Sequence, residues 1–567
     1  MPGRTRSGGP AAVGSAPATA QAVGSLQADF DNDGFTDLAV GVAGEDIGGL
    51  VDAGAVNVLY GSAGGLTTAR NQQFWQGSGG AAGTAEAGDE FGFALAVGDF
   101  NNDDFADLAV GVPFEAVGAT GGAGAVDILY GSAGGLTGNG SQLFTQGPGG
   151  APGTAEAGDL FGLALSAGDY NNDGSADLAV GVPFEGIGAT AGAGAVDVLF
   201  GSATGLTGAG GQQFWQGAGG VAGSAEADDE FGRALASGDF DDDGDSDLAV
   251  GVPLEDLGGL QDAGAVQVLP GSAGGLTGTG SQLFTQDSPG VPGTAAFFQE
   301  FGTSLAAADF NADGPADLAV GVPRHDSATG AGASVGAVTV LYGTGTGLDG
   351  AGSQLFTQDS AGVVGTAEEF DLFGYSLAAG DFNNNGSADL AVGVPGEDIG
   401  TTRDAGAFNV LYGAGGGLSG TGSQLFNQGG GGVAGVAEAD DVFAATLSAG
   451  DFNANGFADL AVGAFFEDIG SVADAGAVTV LYGAGNGLDA AGDQQFWQGA
   501  NGLAGVAEEG DIFTSSLVGS DQQPGSSAAT SRSPRRGVAR HQLTGIPSGA
   551  QSRYSLRPQY QREWAAQ

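Results

Sequence analysis

The 567-residue chain has no cysteine and no lysine; all 13 of its basic residues are arginines, set against 67 acids, and it has only two histidines. Without cysteine there is neither a disulfide framework nor a thiolate metal site. The shortage of bases leaves a formal net charge of -54, a field that repels nucleic acid and anionic membrane surfaces and draws small cations. No run approaches the roughly 18 apolar residues of a membrane span, and no 3.6-residue amphipathic pattern holds for three turns. The opening stretch MPGRTRSGGPAAVGSAPATAQA has two arginines and an A-x-A-like end. Gly, Ser and Pro interrupt the apolar core that a clear signal peptide needs, and residues 1–22 read as a disordered lead-in.

What the chain does have is 116 glycines and 41% hydrophobic residues, too apolar for disorder. A motif beginning DFDNDGFTDLAVGV at Asp29 returns at Asp99, Asp169, Asp239, Asp309, Asp381 and Asp451, a tandem array with a period close to 70 residues. The fifth copy is lengthened within RHDSATGAGASVGAV. Each copy holds four short apolar segments bounded by Gly, Ser, Thr and Asn; in the second these are FGFALAVGDF, ADLAVGV, GAVDILYG and QLFTQG. Such segments read as strands. Four strands per copy, repeated seven times, predict an all-β, seven-bladed β-propeller of four-stranded antiparallel blades. A stacked solenoid fits less well, because its coils repeat at shorter periods.

Every copy places oxygen side chains at positions 1, 3, 5 and 9 of a short acidic loop between two strands. Calcium takes six to eight oxygens at about 2.3–2.6 Å, and alternate residues of a tight loop converge on one centre. The predicted ligands are Asp29, Asp31, Asp33 and Asp37 in loop one, and Asp99, Asn101, Asp103 and Asp107 in loop two. Loop three offers Asp169, Asn171, Asp173 and Asp177; loop four Asp239, Asp241, Asp243 and Asp247; loop five Asp309, Asn311, Asp313 and Asp317. Loop six offers Asp381, Asn383, Asn385 and Asp389, and loop seven Asp451, Asn453, Asn455 and Asp459. Loops one and four carry four carboxylates, six and seven only two, which predicts firm calcium binding in loop one and weak binding in the last two. Gly34 supplies the positive φ of a sharp turn, whereas Asp104 stands in its place in loop two. The plain alternative is a set of Asx turns needing no cation.

These residues resemble the FG-GAP repeats of the integrin α-subunit propeller and of bacterial surface or secreted proteins. Phe91-Gly92, Phe161-Gly162, Phe231-Gly232, Phe301-Gly302 and Phe373-Gly374 carry the first half of the motif, and Gly111-Val112-Pro113 stands where the family has Gly-Ala-Pro. The resemblance covers residues 23 to about 519. It implies a seven-bladed propeller with Ca²⁺ in its hairpin loops and with recognition on a face or the rim. Phe443 is followed by Ala444, and the first copy lacks a Phe-Gly, which are departures.

The expected function is a calcium-binding, non-catalytic binding or adhesion module, extracellular or at a cell surface and monomeric. Its partner is a protein or glycan; nucleic acid is excluded. The alternative is a secreted hydrolase or lyase acting on carbohydrate or lipid-linked sugar. His325, beside Arg324 and Asp326, occupies a place where other copies have an acid and reads as a solvated substitution. The acids Glu45-Asp46, Glu115, Glu185, Glu255-Asp256, Glu397-Asp398 and Glu467-Asp468, which follow the second strand, read as solvated connections. Residues 520–567 read as a disordered Arg-rich tail; Thr530-Ser531-Arg532-Ser533 is what the expected Asp-Leu-Ala-Val would become if it were encoded GAC CTC GCG GTC and read from its second base, so a frameshifted eighth copy of an eight-bladed parent is the alternative. The segment near 513–519 is expected to close the ring against the first blade.

Overall fold

The computed structural model describes residues 27–326 and 333–519; the expectations for residues 1–22 and 520–567 lie outside them. Seven four-stranded antiparallel sheets are present, with four adjacent strands in chain order in six of them. Blade two runs Leu95–Gly98, Asp107–Val112, Ala125–Tyr130 and Thr137–Phe144. The innermost strands of the seven blades touch their neighbours in a closed circle, so the architecture is a β-propeller.

The run D-L-A-V-G-V explains how blades stack. The second strand is buried on both faces, as the middle of a stacked sheet must be, and therefore reads as continuously apolar. Its side chains alternate in size. In blade one, Leu38, Val40 and Val42 face the seventh blade with Val478 and Phe496, while Ala39 faces the second blade with Val110. Gly41, on the same face as Ala39, admits the backbone of the next blade: a Cβ there would lie 2.1 Å from the Gly92 carbonyl oxygen. Phe91 of the Phe-Gly pair is fully buried at this seam, its N–H donating to the Ala53 carbonyl at 3.1 Å.

Blade one is assembled from both ends of the described chain. Its innermost strand is Ser516–Val518, paired antiparallel with Leu38–Val42 in the register Ala39↔Val518 and Val40↔Leu517. Ala55–Tyr60 and Thr67–Phe74 complete the sheet. The missing Phe-Gly of the first copy is thus found at Phe513-Thr514, where Phe513 is buried and Thr514 takes φ 110. Ala444 likewise takes the left-handed φ of 69 in the glycine's place. Blade four has a short outer strand, Gln282–Phe284. Pro270 stands where Tyr60, Tyr130 and Tyr342 stand in other blades, and having no N–H it cannot extend the ladder.

Candidate functional site

Six of the acidic loops join innermost to second strands, and loop one leads into the second strand of blade one, so all seven lie at one end of the ring. Position 1 builds the turn. Asp29 accepts the Asp33 N–H on Oδ1 at 3.0 Å and the Gly34 N–H on Oδ2 at 2.8 Å. Asp99, Asp169, Asp239, Asp309, Asp381 and Asp451 repeat both bonds. Gly34 has φ 90, and Asp104 adopts φ 71 at the same point, a conformation Asp tolerates better than most residues.

Position 9 is part of the core. Asp37 is fully buried; its Oδ2 accepts the Phe30 N–H at 2.9 Å and its Oδ1 the Gly61 N–H at 2.9 Å. Asp107, Asp177, Asp247, Asp317, Asp389 and Asp459 hold equivalent pairs of backbone groups. Burial pushes these carboxyls up, to about 8 for Asp37, Asp107 and Asp459 and to about 7 for Asp177, Asp247, Asp317 and Asp389. In loops one to five each oxygen accepts one hydrogen bond from these backbone groups and retains a second lone pair, so the group still has acceptor capacity for a cation.

Position 3 separates the loops. Asp29, Asp31 and Asp37 bring carboxylate oxygens within 4.8 Å of one another, as do Asp239, Asp241 and Asp247. Oδ1 of Asp31 and of Asp241, and of Asn101 and Asn171 in loops two and three, is buried without a hydrogen-bond partner. Such orphaned oxygens beside carboxylates suit a hard cation. In loop five, Asn311 Oδ1 instead accepts the Asp313 N–H at 2.8 Å. Loops six and seven satisfy themselves: the Asn383 amide donates to Asp389 at 2.8 Å and that of Asn453 to Asp459 at 3.5 Å. Position 5 stands outside both three-carboxylate groups; Asp33, Asp103, Asp173, Asp243, Asn385 and Asn455 each accept the N–H two residues on.

The loops also link the blades. The N–H at position 8 donates to the position 1 carbonyl of the preceding loop at every seam, from Ala106 to Asp29 at 3.3 Å round to Thr36 to Asp451 at 3.3 Å. One contact was hidden from the sequence pattern: Arg70 Nη2 lies 2.7 Å from Asp31 Oδ2.

The opposite end of the ring overturns the expectation that the second acidic series is solvated. Glu45, Glu185, Glu255 and Glu467 are buried. Each accepts from a glutamine of the preceding blade: Gln498 to Glu45 at 2.6 Å, Gln146 to Glu185 at 3.1 Å, Gln216 to Glu255 at 2.8 Å and Gln428 to Glu467 at 2.6 Å. Gln76 to Glu115 at 2.9 Å and Gln358 to Glu397 at 2.7 Å complete six seams. In five of the six pairs the partners stand 39 residues apart, a spacing visible in the sequence, but nothing local said that the two side chains meet.

At the seam between blades four and five His325 replaces the glutamate. It is not solvated: it is half-buried with Nδ1 orphaned, and both side-chain polar atoms of Gln286 are buried and unpartnered. Burial lowers the imidazole pKa. Replacing His325→Glu supplies the missing acceptor, and restoring one such bond adds about 1 kcal/mol. The melting midpoint of that variant is expected to rise by about a degree in calorimetry; a midpoint at or below that of the parent chain defeats the interpretation.

A family model described as "FG-GAP repeat" matches residues 25–59, 91–129, 161–199, 231–269, 301–341, 373–411 and 443–481. The chain is 30% identical over 251 residues to integrin alpha-5 of Xenopus laevis, a match covering 44% of this chain and 21% of that protein. It is 34% identical over 160 residues to phosphatidylinositol-glycan-specific phospholipase D of Rattus norvegicus, covering 28% of this chain and 18% of that protein. The matched stretch is thus about a fifth of either relative's length. Among solved structures, a Bacillus licheniformis rhamnogalacturonan lyase aligns over 83% of this chain and 85% of its own at 9% identity, with a TM-score of 0.32.

Proposed function

Since the chain is a sevenfold FG-GAP repeat protein, we propose that it is a calcium-stabilised propeller acting as a non-catalytic binding or adhesion module outside the cell, with a protein or glycan as its partner. The observation that carries the calcium reading is Asp241 Oδ1, buried and without a partner beside Asp239 and Asp247. Asp239, Asp241 and Asp247 would hold the ion in blade four, and Asn101 and Asn171 with their neighbouring aspartates would hold weaker ones. The ion supplies positive charge to a turn whose acids otherwise repel one another.

The extracellular reading is supported by the ligand count: loops with few carboxylates suit calcium at about 10⁻⁴–10⁻³ M, the range of extracellular modules. The phospholipase match covers 18% of that protein, and the activity in its name is not carried to this chain by it. Among the described residues no helix is long and apolar enough to cross a membrane.

Calcium titration by calorimetry, on the full chain and on Asp241→Asn, tests the reading. The variant is expected to lose the tightest class of site. Identical isotherms for the two proteins would remove blade four's loop as a calcium site.

A further inference from the structure

Arg70 interrupts a sevenfold pattern. The corresponding residues in the other outer hairpins are Gly140, Gly210, Gly280, Gly352, Gly422 and Gly492, all with φ between 85 and 90. Arg70 keeps that left-handed backbone at φ 70, where an arginine gains nothing locally. Its compensation is distant. The guanidinium meets Asp31 Oδ2 at 2.7 Å and lies 5.1 Å from the centroid of the Tyr60 ring. The Asp31 side chain is 2% exposed, and its other oxygen has no partner.

From this geometry we propose that Arg70 is a built-in cation for blade one. It neutralises the loop-one carboxylates and weakens there the divalent-ion site that loop four, with the same four carboxylates, keeps open. In loop four the residue equivalent to Arg70 is Gly280, so that position has no side chain to reach Asp241. A guanidinium is always charged and is geometrically matched to a carboxylate. A calcium ion entering loop one meets that positive charge within its first neighbours, so the loop's affinity falls although its ligand count is the highest. Blade one is also the blade closed by strands from both ends of the described chain, and an internal charge holds its loop whether or not calcium is present.

This inference rests in part on the calcium reading, and the experiment separates the two. Full chains carrying Arg70→Gln, Arg70→Gly and Asp241→Asn are compared with the parent by calorimetric melting in chelator and by calcium titration. Arg70→Gln keeps the stem and removes the charge; in chelator it is expected to melt several degrees below the parent. Arg70→Gly restores the backbone of the other six copies and opens the loop. It is expected to gain a calcium site at least tenfold tighter than the parent's loop one, and calcium is expected to restore its melting midpoint. If Arg70→Gln melts with the parent in chelator, the built-in cation is overturned whatever calcium does. If Asp241→Asn lowers calcium binding while Arg70→Gly leaves the isotherm unchanged, the weakening of loop one is overturned and the calcium reading stands. If none of the proteins binds calcium, the calcium reading fails, and the chelator comparison alone decides the role of Arg70.

Discussion

In chelator the melting midpoint is expected to fall as the pH rises from about 4 to about 8, and calcium is expected to restore it, most strongly at the alkaline end. The seven position 9 aspartates are the cause. Their folded pKa values are raised from 3.8 to about 7 or about 8 by burial, as in Asp37, Asp247 and Asp459. A carboxyl raised in the folded state holds its proton more tightly there than when unfolded. Between the two pKa values the folded protein therefore binds more protons, and stability declines as pH increases. The contribution is complete below the unfolded value and is lost as pH passes through the folded one.

The other end of the ring acts in the same direction, because Glu185, Asp371, Asp441 and Asp511 are raised to about 7 or about 8 as well. Every tenfold gain in a carboxyl's proton affinity on folding corresponds to about 1.4 kcal/mol, so a few such groups rival the roughly 5–15 kcal/mol of a typical fold. Drops of about 10 °C or more across this range are expected for the cation-free protein. Calcium binds the ionised form, so its binding at neutral pH releases protons, and its effect on the midpoint shrinks towards pH 5. Melting profiles in chelator that are flat from pH 4 to 8, or a calcium effect larger at pH 5 than at pH 8, would contradict this account.

The second large effect concerns ring closure. Replacing Leu517→Asp is expected to abolish the cooperative melt or lower it by about 10 °C or more. Leu517 is 3% exposed and pairs with Val40 in the strand that completes blade one. An unpaired carboxylate at that position costs several kcal/mol. Loss of the strand also strips Leu38–Val42 of its inner partner and leaves an open edge at the innermost position, which invites association between chains. The Ser516 hydroxyl, which donates to the Gly92 carbonyl at 2.7 Å, ties the same strand to blade two. Ser516→Ala is accordingly a milder loss of a degree or two. The reference is a chain ending at Gly519, which keeps every described strand. Size-exclusion chromatography and calorimetry read the outcome; a monomeric Leu517→Asp chain melting with the reference would show that closure by this strand is dispensable.

Much of the architecture is legible from local pattern. The 70-residue period, the short apolar segments and the acidic turns are properties of neighbouring residues, and all reappear as blades, strands and loops. Even the closing segment was legible, since Asp511-Ile512-Phe513 repeats the approach to Phe91 although its glycine is replaced by Thr514. The carboxylate grouping was legible: the two loops with four carboxylates are the two that bring three acids together.

What the sequence by itself determined is therefore the repeat, the four strands within it and the position of each acidic loop, because period and turn chemistry act over a few residues. Only the tertiary structure decided what each acid does. It turned position 9 into a buried fastener and the glutamate series into clasps between blades, and it brought Arg70 onto Asp31 across 39 residues of chain. Charge and burial of these groups depend on the side chains that stacked blades bring together, and blade stacking joins residues whose separation along the chain carries no local signal.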